Sequence, residues 1–222
     1  MIKALLLDFY GTVVHEDDIV MTDVCQQISK ASPLTATVEE IDSYWWSDFS
    51  NRFMVSHGER FQTQRNLELA SLDATCSHFN AACDVPQLCE TIFAYWQTPP
   101  LFDDARDFLS ACDLPIMVLS NIDRVDIEAA IAAHGLAFRD VITSEDVRSY
   151  KPRPELFQAG LDALGLAPTE VLHVGDSVTS DVIGANELGI PVAWVNRNDK
   201  ATPAVGVPDF EVSTLTELNA IL

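Results

Sequence analysis

The sequence predicts an α/β protein, a doubly wound parallel sheet with a smaller all-helical second domain. Three observations predict it. Residues 103–222 alternate short apolar runs with helix-length segments, the pattern of a parallel sheet covered by helices on both faces. Residues 15–98 break that alternation and hold no strand-like run. Two acidic motifs, Asp8-Phe9-Tyr10-Gly11-Thr12 and Gly175-Asp176-Ser177 with Asp181, each follow an apolar run and so stand at the end of a buried strand. In an open parallel sheet the carboxyl ends of the strands share one edge, and ligands bind there.

The elements follow in order. Residues 2–7 form the first strand. Helices are expected over 20–31, 38–57, 61–80 and 86–97, and Pro99-Pro100 marks the return to the sheet domain. A helix over 103–112 leads to a strand over 115–119. The helix over 125–134 stops at Gly135, a C-terminal cap residue, before a short strand over 141–143. The helix over 154–164 opens on Pro154 and is ended by Gly165. A strand over 171–174, a helix over 179–188 and a strand over 191–195 come next. An edge strand over 210–212 and a helix over 215–222 close the chain. The expected domains are therefore 1–14 with 99–222, and the helical insert 15–98. Within the insert Trp45, Trp46, Phe49, Phe53, Tyr95 and Trp96 recur at helix-like spacing, which reads as packing rather than as a substrate cage. Its cations are Lys30, Arg52, Arg60 and Arg65.

With 222 residues, 48% hydrophobic and 21% charged, the chain can bury a sizeable core without staples. Its net charge of −21 argues against nucleic acid, which calls for a basic footprint, and against an anionic membrane surface. The expected partner is a small anionic molecule, captured locally by a metal, Lys151 and a few arginines against an unfavourable global field. No apolar run reaches the length of a membrane span, and Met1-Ile2-Lys3 runs straight into a strand, so neither anchor nor signal peptide is expected. A cytoplasmic monomer or homodimer is the expectation. The five cysteines, Cys25, Cys76, Cys83, Cys89 and Cys112, show no two-residue spacing and read as free thiols.

The chemistry gathers at the strand ends. Asp8, Asp176 and Asp181 would share one small volume, where carboxylates repel and raise one another's pKa. A hard cation removes that cost, and oxygen-only ligation with open positions suits Mg²⁺. Asp8 is the candidate nucleophile, Gly11 allows a tight turn against a ligand, and Thr12 offers a hydroxyl. Ser120 and Asn121, closing the 115–119 strand, suit either a helix cap or a cradle for anionic oxygens. Lys151, ahead of Pro152, would neutralise the nucleophile or the transferring group. His173, inside a strand, reads as a core residue.

Taken together, Asp8 to Thr12, Leu119-Ser120-Asn121, Lys151-Pro152 and Gly175 to Asp181 stand in the order found in the haloacid dehalogenase (HAD) superfamily, which the sequence resembles. The resemblance implies a HAD-like core and a mobile helical cap inserted after the first strand. It implies Asp8, Thr12, Ser120, Asn121 and Lys151 as catalytic, with Tyr10, Gly11, Ser120 and Asn121 against the substrate. It also implies Mg²⁺ on Asp8, the Tyr10 carbonyl and Asp176, with Asp181 acting through water or by orienting Lys151. Tyr10 departs from the family's phosphatases, which carry a second Asp there as general acid. Asp-x-Tyr-Gly-Thr is instead similar to the family's 2-haloacid dehalogenases, whose halide leaves without a proton. Those enzymes work without metal and lack the acids at 176 and 181. The resemblance therefore implies a Mg²⁺-dependent phosphatase acting on a small phosphorylated metabolite. The alternatives are a dehalogenase-like hydrolase attacking carbon, a low-turnover binding relative, or a phosphonate-cleaving relative with Lys30 as its only available cap lysine.

Overall fold

The structure is a computed structural model describing residues 1–201 and 204–222. The chain runs from strand β1 (Ala4–Leu7) into helices α1 (Asp18–Ala31), α2 (Val38–Val55), α3 (Gln64–His78) and α4 (Val85–Gln97). Helix α5 (Asp103–Ala111), strand β2 (Ile116–Ser120), helix α6 (Arg124–His134) and strand β3 (Asp140–Thr143) follow. The single turn α7 (Ser144–Val147) and helix α8 (Pro154–Leu164) come next. Strand β4 (Val171–Gly175), helix α9 (Gly184–Glu187) and strands β5 (Val192–Val195) and β6 (Phe210–Val212) complete the order.

The six strands form one parallel sheet in the order β3-β2-β1-β4-β5-β6. From β1 the sheet grows one way through β2 and β3, and the other way through β4, β5 and β6. The topological switch therefore lies at β1, and a ligand crevice is expected beyond its carboxyl end. Leu7 aligns with Val118 on one side and Val174 on the other. That register brings the residues after Leu7, Ser120 and the residues after Val174 to one edge. β1 is Ala-Leu-Leu-Leu, residues that favour helices in isolation. It is a strand because both faces are covered and every one of its residues is buried. One core face gathers Leu6, Leu119, Phe157, Val182 and Trp194.

The chain divides into two compact units, one of Met1–Glu16, Pro100–Asn121 and His134–Leu222, the other of Asp17–Pro99 and Ile122–Ala133. The first holds the sheet. In the second, α2 starts on a capping box between Thr37 and Glu40. Helix α3 starts at Gln64, later than the sequence suggests, because Thr63 caps it by accepting from the Asn66 N–H. The segment 122–133 joins this unit through side-chain contacts that no hydrophobic period announces. Asp123 accepts from the backbone N–H groups of Gln64 (2.8 Å) and Arg65 (3.0 Å), completing the α3 N-terminus. Arg65 forks onto Asp126 (2.8 and 2.5 Å) and lies 4.4 Å from the Phe93 ring centroid. Of the insert's cations, Arg65 is thus committed to Asp126, and Arg52 to Asp48. The aromatic residues divide: Trp45 and Trp96 are buried, donating to Ser71 and Asp17, whereas Trp46 is 66% exposed and stacks with Phe49. A helix turns about 100° per residue, so neighbours such as Trp45 and Trp46 cannot both face the core.

Glu68 of α3 is buried, and one of its carboxyl oxygens has no hydrogen-bond partner among the described residues. Burial first, and the charge of Asp17 second, push its pKa up to about 8. An acid whose pKa rises on folding binds its proton more tightly in the native state. Its stability contribution is complete below the ordinary glutamate range and is lost as pH climbs through about 8. Glu68→Gln should therefore raise stability at pH 8.5 by something on the order of a few kcal/mol, and change it little at pH 4.5. Denaturant melts of both proteins at the two pH values check this; equal gains at both would refute it.

Among the described residues no helix is long and apolar enough to cross a membrane, and all five cysteines are free thiols.

Candidate active site

All nine residues singled out for chemistry lie in the sheet-bearing unit. Asp8 directly follows β1, is 6% exposed, and donates its backbone N–H to the Val174 carbonyl (2.8 Å). Lys151 is 1% exposed. Its ammonium makes three hydrogen bonds, to Asp8 Oδ1 (2.6 Å), Asp181 Oδ1 (2.6 Å) and the Leu119 carbonyl (3.0 Å). Those use all three of its donors. Burial alone would lower the lysine's pKa, but Asp181 and Asp8 outweigh it and hold the charge firmly in place.

Asn121 is partly buried, and its amide pairs with the backbone of Lys151. Its Oδ1 accepts from the Lys151 N–H (2.7 Å), and its Nδ2 donates to the Lys151 carbonyl (3.0 Å). The amide thus works as a splint for the lysine's backbone, next to a cis Lys151–Pro152 bond. Ser120 is 2% exposed at the end of β2. Tyr10 is partly buried on the Asp8 loop, its ring edge-on to Phe9 at 5.2 Å.

Two glycines allow the acids to close in. Gly11 has φ +83°, and a Cβ there would come within 2.5 Å of the Asp176 carboxylate. A Cβ on Gly175 would come within 2.4 Å of Asp181 Oδ2. Any side chain at either position would push a carboxylate away. The helix expected over 179–188 is instead a π-helical turn, Val178–Ile183, running into α9. Ser177 caps that turn by accepting from the Ser180 N–H (3.1 Å). Such turns often occur at functional sites, and this one carries Asp181 inward, 1% exposed. The expected final helix is a 3₁₀ helix, Leu215–Ala220.

The acids differ in charge state. Burial pushes Asp181 upward, but the Lys151 ammonium and a hydrogen bond from His173 overcome it, so Asp181 stays ionised well below the usual carboxylate range. Burial raises Asp8 to about 7 against Lys151, with Asp181 adding to the rise. Burial, then Asp8, then Asp181 push Asp176 well above its ordinary value. One oxygen from each of the three acids lies within 4.8 Å of the others. Once Asp8 and Asp176 ionise as well, three carboxylates face a single ammonium and the surplus is negative.

An all-oxygen donor set with that surplus fits a hard divalent cation. Asp8 and Asp176 would hold it. Asp181 is poorly placed as a direct ligand, because its oxygens already accept from Lys151, His173 (2.9 Å) and the Ser177 N–H (3.0 Å). What it does in the structure is accept from the Lys151 ammonium (2.6 Å). Thr12 donates to Asp176 Oδ1 at a long 3.3 Å. In EDTA, the raised Asp8 contributes stability that is present below the ordinary aspartate range and lost as pH rises through about 7, and Asp176, raised by burial and then by Asp8, acts in the same direction. Millimolar Mg²⁺ should restore it at pH 8 in the wild type but not in Asp176→Ala. Thermal melts from pH 5.5 to 8.5, with and without the ion, check this; equal Mg²⁺ shifts in the two proteins would refute it.

Two members of the site escaped the sequence. His173 is bonded to Asp181, although it sits fully buried in β4. The available signal was one polar ring in the apolar run Val-Leu-His-Val. Arg197 donates from Nη2 to the Thr12 carbonyl (2.9 Å), grips Asp104 through both terminal nitrogens (2.9 and 3.1 Å), and lies 3.8 Å from the Phe102 ring centroid. It thereby braces the loop that carries Asp8 and Thr12. A charge shortly after a buried strand was its only signal.

Comparison with known proteins adds the family. A family model described as a haloacid dehalogenase-like hydrolase matches residues 2–189. An (S)-2-haloacid dehalogenase of Pseudomonas sp. strain YL is 26% identical, over 96% of this chain and 91% of that protein. A phosphoserine phosphatase of Thermus thermophilus is 32% identical, over 60% of this chain and 55% of its own length. The solved structure of the L-2-haloacid dehalogenase from Xanthobacter autotrophicus superposes with a TM-score of 0.77. It is 26% identical and covers 100% of this chain and 98% of that one.

Proposed function

We propose, from the premise that the chain belongs to the haloacid dehalogenase-like hydrolase family, that this hydrolase uses Asp8 as nucleophile on small phosphate monoesters with a divalent cation. The observation that carries this reading is the cluster of Asp8, Asp176 and Asp181 within 4.8 Å, set against one lysine. Asp181 can orient Lys151 in either chemistry, so it is Asp176, beside Asp8 and away from the lysine, that a divalent cation would put to use. Mg²⁺, held by Asp8 and Asp176 and, by family resemblance, the Tyr10 carbonyl, would supply positive charge against the phosphoryl oxygens.

The protein's own residues do the rest. Lys151 holds Asp8 Oδ1, so the other oxygen of Asp8 is the one presented to phosphorus. Attack there breaks the ester P–O bond, giving an aspartyl-phosphate and an alkoxide that takes its proton from water; a second water then attacks phosphorus and returns Asp8 and inorganic phosphate. Ser120 and Thr12 are the hydroxyls for the phosphoryl oxygens, and Asn121 keeps Lys151 in register. A small anionic metabolite and a monomer or homodimer complete the proposal.

A second reading has its own support. Tyr10 stands where a phosphatase needs an acid, and a departing halide needs none. Several relatives matched over nearly the whole chain are (S)-2-haloacid dehalogenases, whereas the match to the Thermus thermophilus phosphatase covers 60%. The comparisons thus weigh toward attack on carbon, and the acid cluster weighs toward phosphorus.

One panel separates them: p-nitrophenyl phosphate, an alkyl phosphate and 2-chloropropionate, each with Mg²⁺ and with EDTA. Phosphate release that EDTA abolishes is expected. Without a side-chain acid, the alkyl phosphate should be slower than the aryl one by roughly 10²–10⁴-fold. Chloride release that survives EDTA, with no phosphate release, would replace this reading with the second.

A further inference from the structure

We propose that His173 is a positioning residue whose neutral ring donates Nε2–H to Asp181 and so fixes the carboxylate that aims Lys151 at Asp8. It rests on the reading that the Asp8–Lys151 pair carries the reaction.

The geometry runs from strand to site. His173 lies in the middle of β4, where every residue is buried. Its ring is held edge-on to Phe157, centroids 5.0 Å apart at 80°. Nε2 lies 2.9 Å from Asp181 Oδ1, the oxygen that also takes Lys151 Nζ at 2.6 Å. The Ser177 N–H takes Oδ2 at 3.0 Å. Three donors thus hold one carboxylate, and Gly175 leaves it room to approach.

Chemistry then assigns the proton. A carboxylate beside an ammonium only accepts, so the hydrogen of this contact belongs to Nε2. Full burial keeps the ring neutral by opposing its charged form, over the pull of Asp181. A neutral ring with Nε2–H has a bare Nδ1. That nitrogen is buried and makes no hydrogen bond of normal geometry among the described residues; the Leu6 backbone acts on the ring in favour of its charged form, and burial outweighs it. An apolar side chain would fill the space without leaving a nitrogen unpaired. What it could not supply is the donor that keeps Asp181 Oδ1 turned toward Lys151.

The role differs from core packing in what it predicts. Partners that orient a functional group, without touching substrate, typically cost about 10–100-fold when removed. His173→Phe should therefore lower kcat by about 10–100-fold with KM within about twofold. His173→Gln, which keeps a side-chain N–H donor, should recover most of kcat. Both are measured on whichever substrate class the wild type hydrolyses.

A second arm needs no substrate, so it stands even if the functional reading fails. Long-range ¹H–¹⁵N NMR of wild type at neutral pH should show His173 protonated at Nε2 and bare at Nδ1. A ring protonated at Nδ1, or at both nitrogens, would overturn the proposal. So would a folded His173→Phe protein with wild-type kcat, or a Gln variant no better than Phe. If the Phe variant fails to fold, the Gln variant's kcat and the wild-type spectrum decide.

Discussion

Asp8→Asn is expected to abolish turnover, by about 10⁴-fold or more, as removing a nucleophile does elsewhere. The protein should remain folded. An amide is nearly isosteric with the carboxylate, and its oxygen can still accept from Lys151, which keeps Asp181 as its charged partner. What is lost is the oxygen that attacks. Steady-state rates beside circular dichroism and a melt check both halves. Activity near wild type in a folded variant would show that another residue attacks.

Lys151→Met has the second largest expected effect, and it acts on stability as well. The lysine is buried, and both its carboxylate partners are nearly so. Removing it leaves two acids without a counter-charge, and breaking a buried ion pair from one side costs about 3–5 kcal/mol. Turnover should vanish too. The deficit should narrow as pH falls, because Asp8, already held near 7, then takes up a proton in the native state. Arginine should not rescue it, since a planar fork does not match three acceptors set around one ammonium. Melts from pH 5 to 8 decide, and a deficit independent of pH would contradict the assigned role.

The sheet was legible because its strands are short apolar runs ended by polar motifs. Ile116–Ser120 and Val171–Gly175 fall within about a residue of where the sequence puts them. The candidate residues were legible because strand ends in a parallel sheet share an edge. Side-chain contacts between distant residues were not. Nothing local says that Asp123 completes the first turn of α3, so the sequence places the 122–133 segment with the sheet domain, whereas it groups with the helical unit. Nothing local says that Asn121 splints a lysine thirty residues away. The turn around Asp181 reads as an ordinary helix by period; it is π-helical in a segment whose acid is bound to Lys151 and His173. His173 looked like core because it is core, and its second allegiance depends on one ring nitrogen.

The most direct test of phosphorus against carbon is the fate of solvent oxygen in a single turnover. With enzyme in excess over substrate in ¹⁸O-water, an aspartyl-phosphate is opened at phosphorus, so the label enters inorganic phosphate and Asp8 stays unlabelled. An ester formed by attack on carbon is opened at the Asp8 carbonyl, which leaves the label in that carboxylate. Mass spectrometry of the released phosphate and of the peptide containing Asp8 reads both. The account predicts labelled phosphate and an unlabelled Asp8 peptide. Label in Asp8 after one turnover of 2-chloropropionate, with no phosphate released from any monoester, would contradict it.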